Sequence, residues 1–270
     1  MKQRKQPATA SPAAAPPATA STVKAHGFFS LGLLPVLIPI SGLVTMAATM
    51  AYTCAHHYKC TETYPTLSTA AMAHPQFYVF GIGMNFTSYF IFLTISLLTT
   101  YIQEQRTMEA YSWFYYVWGL LTSLGLTVLC TFDMKRWRNT HIISTVFFFV
   151  SSWVMMIMAQ IARLRIAAPE HAYHVKWGSF FIGLGVFLTS MFGFFYVTVH
   201  GYVANPYGLT YSQEALLELF SIVCQLLYMG TLSSEVGSLQ SFQKQRPVLR
   251  ALDYVALAIL IAAVFGVEYL

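Results

Sequence analysis

The sequence predicts an all-α protein: a polytopic transmembrane helical bundle of six core spans with a seventh, C-terminal span. Composition supports this class, because 56% of the residues are hydrophobic, 9% are charged and the mean hydropathy is +0.56. A soluble domain contains about 25% charged residues, so this chain has too little charge to cover a surface that faces water. The apolar residues also fall into blocks of about 20, the length of a helix that crosses a bilayer.

The N-terminal segment, residues 1–26, differs in composition from the rest of the chain. It is rich in Ala, Pro, Ser and Thr, it is basic, and it contains no acid. It lacks the apolar core of a cleaved signal peptide. Its basic composition is also found in mitochondrial transit peptides, but its prolines oppose the amphipathic helix that such a peptide needs. We therefore expect a disordered cytosolic tail.

Six strongly apolar segments follow within residues 27–236, which form one transmembrane domain. Their predicted boundaries are 28–53, 77–101, 112–132, 141–163, 178–200 and 214–234. Residues 237–270 begin with a basic cytosolic segment and end in the apolar stretch 251–270, which contains Asp253 and Glu268. That stretch is long enough to span, and a helix along the membrane interface is its alternative. Its length favours a span.

Lysine and arginine residues predict the orientation, since they are enriched in cytosolic loops. With the N-terminus in the cytosol, most of them lie on the cytosolic side, and the segments 54–76, 133–141 and 200–218 face the lumen or the exterior. These segments contain most of the histidines: His56, His57, His74, His141 and His200. We therefore expect any functional site on the lumenal side.

Two glutamates near the start of the sixth span are the first candidates for that site. Glu214 and Glu218 are four residues apart and share one helix face. Glu214 lies at the predicted membrane edge, where we expect it to reach water and to favour the helix N-terminus. Glu218 lies one turn deeper, and an ionisable group at that depth indicates a functional site. A structural partnership with a tyrosine or histidine is the alternative for Glu218.

Three further residues are expected on the same side as Glu218. His200 ends the fifth span, His141 begins the fourth and Asp133 ends the third. A carboxylate and a histidine together can activate water or a lipid hydroxyl by general-base chemistry, so we assign these four residues to a candidate catalytic site. For each histidine, an amphipathic residue at the membrane interface is the alternative.

The sequence contains none of the common motifs that bind a metal, a nucleotide or a dinucleotide. Two histidines and carboxylates can hold a divalent metal, but no H-E-x-x-H or C-x-x-C spacing occurs, so we expect neither a metal nor another cofactor. There is no Walker or dinucleotide fingerprint. The basic residues are scattered or juxtamembrane, which argues against a nucleic-acid surface.

The basic cluster and two cysteines complete the candidates on this side. Lys135, Arg136 and Arg138 lie in a predicted lumenal loop, against the usual charge bias. They either bind the phosphate of anionic lipid head groups or act as a topology anchor. Cys54 and Cys60 are close enough in an oxidising loop to form a disulfide.

Three stretches of the chain resemble the Frag/DRAM/Sfk family of multi-span membrane proteins. CTETYPTLSTAAMAHPQFYVFGIGMN is similar to that family's first loop and second span. GLLTSLGLTVLCTFDMKRWRNTHIISTVFFFVSS is similar to its third span, polar loop and fourth span, and FGFFYVTVHGYVANPYGLTYSQEALLE to the end of its fifth span and the start of its sixth. The resemblance covers roughly residues 28–236 and places Glu218 on the glutamate of the sixth-span motif.

Within that family the chain is most similar to the branch that remodels the lipids of GPI anchors. Cys60 stands just before the Tyr64-Pro65 turn, and the run from Trp177 through His200 to Glu218 follows that branch's pattern. Two features depart from the family. The stretch STAAMAHP lacks the Asp and Gly usual in the autophagy branch, and the 251–270 segment is additional.

This resemblance implies two classes of function. The first is an enzyme, or a component of one, that exchanges the lipid tails of GPI anchors at the lumenal leaflet of the Golgi or endoplasmic reticulum, with membrane lipids and GPI-anchored proteins as partners. The second is a non-catalytic protein of the lysosome or plasma membrane that organises lipids or scaffolds a membrane-protein partner, such as a phosphoinositide kinase or an autophagy component. A transporter is a third reading, since intramembrane acids and histidines suit proton coupling, but no inverted repeats are visible.

Overall fold

The computed structural model describes residues 30–105, 109–166, 168–239 and 241–269, and the statements below concern those ranges. The predicted tail, residues 1–26, lies outside them. Within the described ranges the regular structure is helical and contains no strand, which confirms the all-α class. Seven of the helical segments are long and apolar enough to cross a membrane, the last of them Pro247–Val267.

The long helices correspond one to one to the predicted spans. In chain order the α-helices are α1 (Leu33–His56), α2 (Leu67–Ala70), α3 (Gln76–Glu104), α4 (Glu109–Thr131), α5 (Arg138–Ile166), α6 (Ala172–Val199), α7 (Tyr211–Gly230), α8 (Ser233–Ser238) and α9 (Pro247–Tyr269). Several helices are longer than the predicted spans, and α5 extends beyond 141–163 at both ends. Hydrophobicity marks only the apolar part of a span, whereas backbone hydrogen bonding continues into the polar residues at its ends.

Helix α3 is the central element of the bundle. It packs against α1, α4 and α9, while α4 packs on α5 and α7 packs on α1. Small residues permit close approach of these helices. At Gly83 an added Cβ would stand 2.1 Å from the Thr45 hydroxyl oxygen, and at Gly119 it would stand 2.4 Å from Ile95. At these two points α1 and α4 therefore approach α3 so closely that a glycine backbone contacts a side chain of the neighbouring helix.

Helix α6 is peripheral. Its buried residues are Gly178, Gly185 and Thr198, and it packs mainly on α7, with less contact to α5. Because α6 contacts α5 less than it contacts α7, the facing sides of α5 and α6 are separated along part of their length.

The bundle has two ends with different chemistry. We call one the disulfide end; it carries the loops 57–66, 71–75, 132–137 and 200–210 and the disulfide between Cys54 and Cys60. At the opposite end, Arg163 of α5 forms an ion pair with Glu235 of α8, with 2.5 Å between Nε and Oε1. Both side chains are almost fully buried. Arg163 stands at the end of the predicted span 141–163, and it lies inside the bundle because α8 brings a carboxylate to it.

The C-terminal helix α9 lies on the outside of α3 and α4. Its buried contacts include Leu249, Leu260 and Val267. Asp253, which made this span ambiguous in the sequence, lies in the second turn of the helix, close to the opposite end. A charge is tolerated there more easily than at the centre of a span.

Candidate functional site

A cavity of about 440 Å³ opens at the disulfide end, between α5, α6, α7 and the segment 58–69. We call it the outer cavity. It brings together three of the residues predicted for the catalytic site, and two more that sequence analysis did not assign to it. The three are His141, His200 and Glu218, and the two are Ser68 and Glu214.

His200 and Glu214 form a pair across the turn between α6 and α7. Helix α6 ends at Val199, and Gly201 takes a φ of +79°, the left-handed conformation that commonly terminates a helix. Helix α7 begins with a capping box, in which the Thr210 and Gln213 side chains each accept the other's backbone N–H. These two signals fix the length of the turn and place His200 Nε2 3.4 Å from Glu214 Oε1.

Glu214 is buried, contrary to the expectation that it reaches water. Only 1% of the residue is exposed, because the end of α6 and the ring of His200 lie over it. Oε1 faces His200, whereas Oε2 has no hydrogen-bond partner in the part of the chain that the structure describes. A buried carboxylate oxygen needs a donor. Since Glu214 lines the outer cavity, a ligand hydroxyl in that cavity is a donor of the required kind.

Glu218 lies one turn deeper and has a different partner. Its Oε2 accepts a hydrogen bond of 2.8 Å from the backbone N–H of Leu67, the first residue of α2. Helix α2 is also held by α1, through a 2.9 Å bond from the Thr53 hydroxyl to the Ala70 carbonyl. Next to it, the Ser212 hydroxyl of α7 accepts the Tyr64 N–H at 3.0 Å. Glu218 thus helps to position α2 against the cavity.

His141 makes hydrogen bonds with both ring nitrogens. Nδ1 lies 2.9 Å from the Phe132 carbonyl oxygen, and Nε2 lies 2.9 Å from the Ser68 hydroxyl oxygen. A carbonyl can only accept, so in the neutral ring Nδ1 carries the proton and Nε2 accepts from the Ser68 O–H. Ser68 is half-buried in the cavity wall.

Asp133 is near this histidine but is not part of the cavity wall. Its Oδ1 accepts the backbone N–H groups of Lys135 and Arg136, each at 2.7 Å. These bonds shape the loop between α4 and α5, which presents the Phe132 carbonyl to His141. These hydrogen bonds give Asp133 a positioning role, and it does not line the outer cavity with His200 and Glu218.

The basic cluster lies on the same loop, beside the cavity. Lys135, Arg136 and Arg138 are exposed at the disulfide end, and Met134 of this loop lines the cavity. The disulfide between Cys54 and Cys60, with 5.4 Å between the Cα atoms, closes the neighbouring loop, from which Tyr58 also reaches the cavity wall.

The outer cavity opens sideways between α5 and α6. Val146 and Val150 of α5 line it, although 59% and 55% of these residues are exposed. Opposite them, Gly193 of α6 also lines it, and an added Cβ there would meet no atom within 4 Å. This cleft lies on the apolar side of the bundle, so lipid can approach it from the bilayer.

A second, apolar cavity of about 50 Å³ lies beside the first, towards the centre of the bundle. We call it the inner cavity. The two cavities share four wall residues, Ser68, Thr145, Phe149 and Glu218. Four methionines lie in the inner wall: Met84, Met155, Met156 and Met229. Flexible thioether side chains adapt to apolar ligands of varied shape.

Sequence analysis found no signal for Ser68, and it did not predict the burial of Glu214. Ser68 is 73 positions from its histidine partner, and a serine in a segment predicted to be a loop carries no periodic signal. The capping box at Thr210 was readable, and it would have placed Glu214 in the first turn of α7, but it could not show what covers that turn. In the described ranges, no group of three or more His, Cys, Asp or Glu side chains is arranged to hold a metal ion.

Comparison with curated proteins and with solved structures found no match. A family model described as the Frag1/DRAM/Sfk1/Cwh43P N-terminal domain matches residues 27–239. The matched segment includes α1 to α8, both cavities and the residues around them, and it ends before α9. The chain therefore belongs to the Frag1/DRAM/Sfk1 family of multi-span membrane proteins.

Proposed function

We propose that this protein takes part in the lipid remodelling of GPI anchors at the lumenal leaflet of the secretory pathway, and that it holds the anchor lipid in the outer cavity. The observation that carries the proposal is the position of Glu214. Its carboxylate is buried, one oxygen has no protein partner in the described ranges, and it lines a cavity that opens sideways between two spans. A lipid with a hydroxyl in its head region matches such a site.

The outer cavity and its lateral cleft suit a lipid that enters from the membrane. Its acyl chain would lie in the cleft between Val146 and Gly193, because the inner cavity is too small to hold a whole chain. Its glycerol region would then lie among His141, His200 and Glu214. The exposed basic cluster beside the cavity would face the phosphate of the anchor, to which lysine and arginine bind well.

The pair of His200 and Glu214 supplies acid–base chemistry for such a lipid. A histidine whose ring is oriented by a carboxylate can accept a proton from a hydroxyl and return it later. His200 is 27% exposed at its side chain, so it is accessible from the cavity, while Glu214 is 2% exposed at its side chain. We assign to His200 the hydrogen bond that orients and activates the lipid hydroxyl, and to Glu214 the orientation of the His200 ring.

The proposal also specifies the partners of the protein, its compartment and its orientation in the membrane. It requires membrane lipids and GPI-anchored proteins as partners, the disulfide end in the lumen of the Golgi or endoplasmic reticulum, and the N-terminus in the cytosol. The charge bias of the loops supports this orientation, and a disulfide in the 54–60 loop is compatible with an oxidising lumen.

The test is lipid analysis of GPI-anchored proteins by mass spectrometry in cells that lack this protein. We expect altered anchor lipids, restoration by the wild-type chain, and remodelling reduced by about 10²-fold or more with Glu214→Gln. Glutamine keeps the volume and the hydrogen-bonding capacity of the side chain but cannot carry its charge.

The matched control is Glu109→Gln at the opposite end, where an exposed glutamate pairs with Arg246 at 2.6 Å. This variant should restore remodelling fully. Unchanged anchor lipids in cells without the protein would reject the proposal and favour the non-catalytic alternative, a protein that organises lipids or scaffolds a partner.

A further inference from the structure

We propose that Ser68 is a catalytic nucleophile, activated by His141, that carries an acyl group between two lipid alcohols. This inference deepens the proposed function and rests on it for the identity of the lipids. It depends on a juxtaposition that spans the fold: the hydroxyl of a residue in α2, a histidine in the first turn of α5, and a backbone carbonyl at the end of α4.

The hydrogen bonds have the arrangement of an activated serine. The Ser68 O–H donates to His141 Nε2 at 2.9 Å, and His141 Nδ1–H donates to the Phe132 carbonyl at 2.9 Å. A nucleophile, a base within 2.6–3.2 Å and a third group that orients the base are the three parts that nucleophilic catalysis requires. Here the third group is a carbonyl, which fixes the tautomer in which Nε2 can take the serine proton.

The surroundings hold this geometry in place. Four hydrogen bonds position α2 and the segment before it, through Thr53, Tyr64, Leu67 and Ser68. On the other side, Asp133 fixes the loop that carries the Phe132 carbonyl. Both partners of the serine–histidine bond are therefore attached to rigid elements, as a preorganised site requires.

Ser68 also stands where an ester would lie. It is one of the four residues shared by the outer and inner cavities. A lipid with its acyl chain in the cleft between α5 and α6 and its glycerol region in the outer cavity would bring its ester carbonyl to the wall that carries the Ser68 hydroxyl. His200 and Glu214 lie in the outer cavity, on the side of the alcohol.

The chemistry balances without any further reagent. Ser68 Oγ forms a bond with the ester carbonyl carbon as its proton passes to His141 Nε2. The bond from that carbon to the lipid alcohol then breaks, and the alcohol leaves with the proton from His141. A second lipid hydroxyl gives its proton to Nε2 and attacks the acyl carbon, and the bond to Ser68 breaks as Oγ recovers the proton. The net result is transfer of one acyl group from one alcohol to another.

The test uses the purified full-length protein in lipid nanodiscs, treated with fluorophosphonate-biotin, which reacts with activated serines. Peptide mass spectrometry of the wild-type protein should find the adduct on Ser68. Ser68→Ala should lose the adduct, and His141→Gln should react about 10²-fold more slowly, the typical contribution of a general base. An adduct mapped to Ser68 in the wild-type chain supports the proposal even where a variant fails to fold.

The matched control is Ser190→Ala. Ser190 is an exposed serine of α6, and its hydroxyl donates to the Val186 carbonyl at 2.8 Å rather than to a histidine. Labelling should be unchanged in this variant. A wild-type protein with an intact Cys54–Cys60 disulfide that takes up no label, or that takes it up at another residue, would overturn the assignment of Ser68.

This result is separable from that for the proposed function, because the labelling needs no GPI-anchored substrate. A labelled Ser68 together with unchanged anchor lipids in cells without the protein would reject GPI remodelling and keep the serine nucleophile. No label together with altered anchor lipids would reject the nucleophile and keep the remodelling function.

Discussion

Glu214 and Glu218 stand on one face of α7, yet their hydrogen bonds give them different roles. Glu214 points one oxygen at His200 and leaves the other for the cavity, whereas Glu218 accepts the backbone N–H of Leu67. The hydrogen bond from Leu67 to Glu218 joins α7 to α2, the helix that carries Ser68. A role of Glu218 as a base remains a prediction of the sequence. Its hydrogen bond gives it a positioning role that can be tested separately.

We expect Glu218→Gln to fold and to retain remodelling, because an amide oxygen can still accept the Leu67 N–H. Glu218→Leu should be destabilised by about 1–3 kcal/mol, since it leaves that buried N–H without a partner. Thermal unfolding in detergent measures both effects. If Glu218→Gln is as stable as the wild type but inactive, the charge itself is required and the positioning role is insufficient.

The sequence could predict individual residues only where their position along a span was informative. It placed His141, His200 and Glu218 on one side of the membrane, and the structure brings these three into one cavity wall. It could not show that Glu214 is covered, because burial at a helix end depends on the neighbouring turn. It could not identify Ser68 at all, because the serine's partner comes from a distant helix.

Short helices link the spans of this bundle at both ends. At the opposite end, α8 carries Glu235 to Arg163, whose guanidinium also donates to the Thr231 carbonyl at 2.9 Å and to its hydroxyl at 3.0 Å. Glu235 in turn accepts the Ser234 hydroxyl at 2.6 Å. The pair thus joins α5 to the end of α7. Hydrophobic periodicity predicts long spans, but α2 and α8 are too short to produce such a signal.

Glu235→Gln should destabilise the protein by about 3–5 kcal/mol, because it leaves Arg163 charged and buried without an anionic partner. The comparison is Glu109→Gln, which removes an exposed pair and should change stability by less than about 1 kcal/mol. Unfolding in detergent, followed by circular dichroism, measures the difference. Equal stabilities of the two variants would show that the buried ion pair does not hold α5 to α8.

At the scale of the whole molecule, the arrangement of the spans creates the site. Helix α6 packs mainly on α7, and its separation from α5 opens the outer cavity towards the membrane. Composition and span length were sufficient to predict the all-α bundle and the seven long apolar helices of the described ranges. They could not predict the cavity, because which helices separate depends on side-chain packing between spans far apart in sequence.

Access of lipid through the cleft between α5 and α6 is the central claim, and two glycines of α6 allow it to be tested. Gly193 lines the outer cavity, whereas Gly183 does not, and an added Cβ meets no atom within 4 Å at either position. A large side chain can therefore be introduced at both without an immediate clash. At Gly193 it would fill the cleft, and at Gly183 it would lie outside it.

The direct measurement is the lipid composition of GPI anchors, by mass spectrometry, in cells that express Gly193→Trp or Gly183→Trp in place of the wild-type chain at equal protein levels. We expect Gly193→Trp to lose remodelling by about tenfold or more, since a blocked cleft excludes the substrate, and Gly183→Trp to restore it. Full restoration by Gly193→Trp would contradict the account.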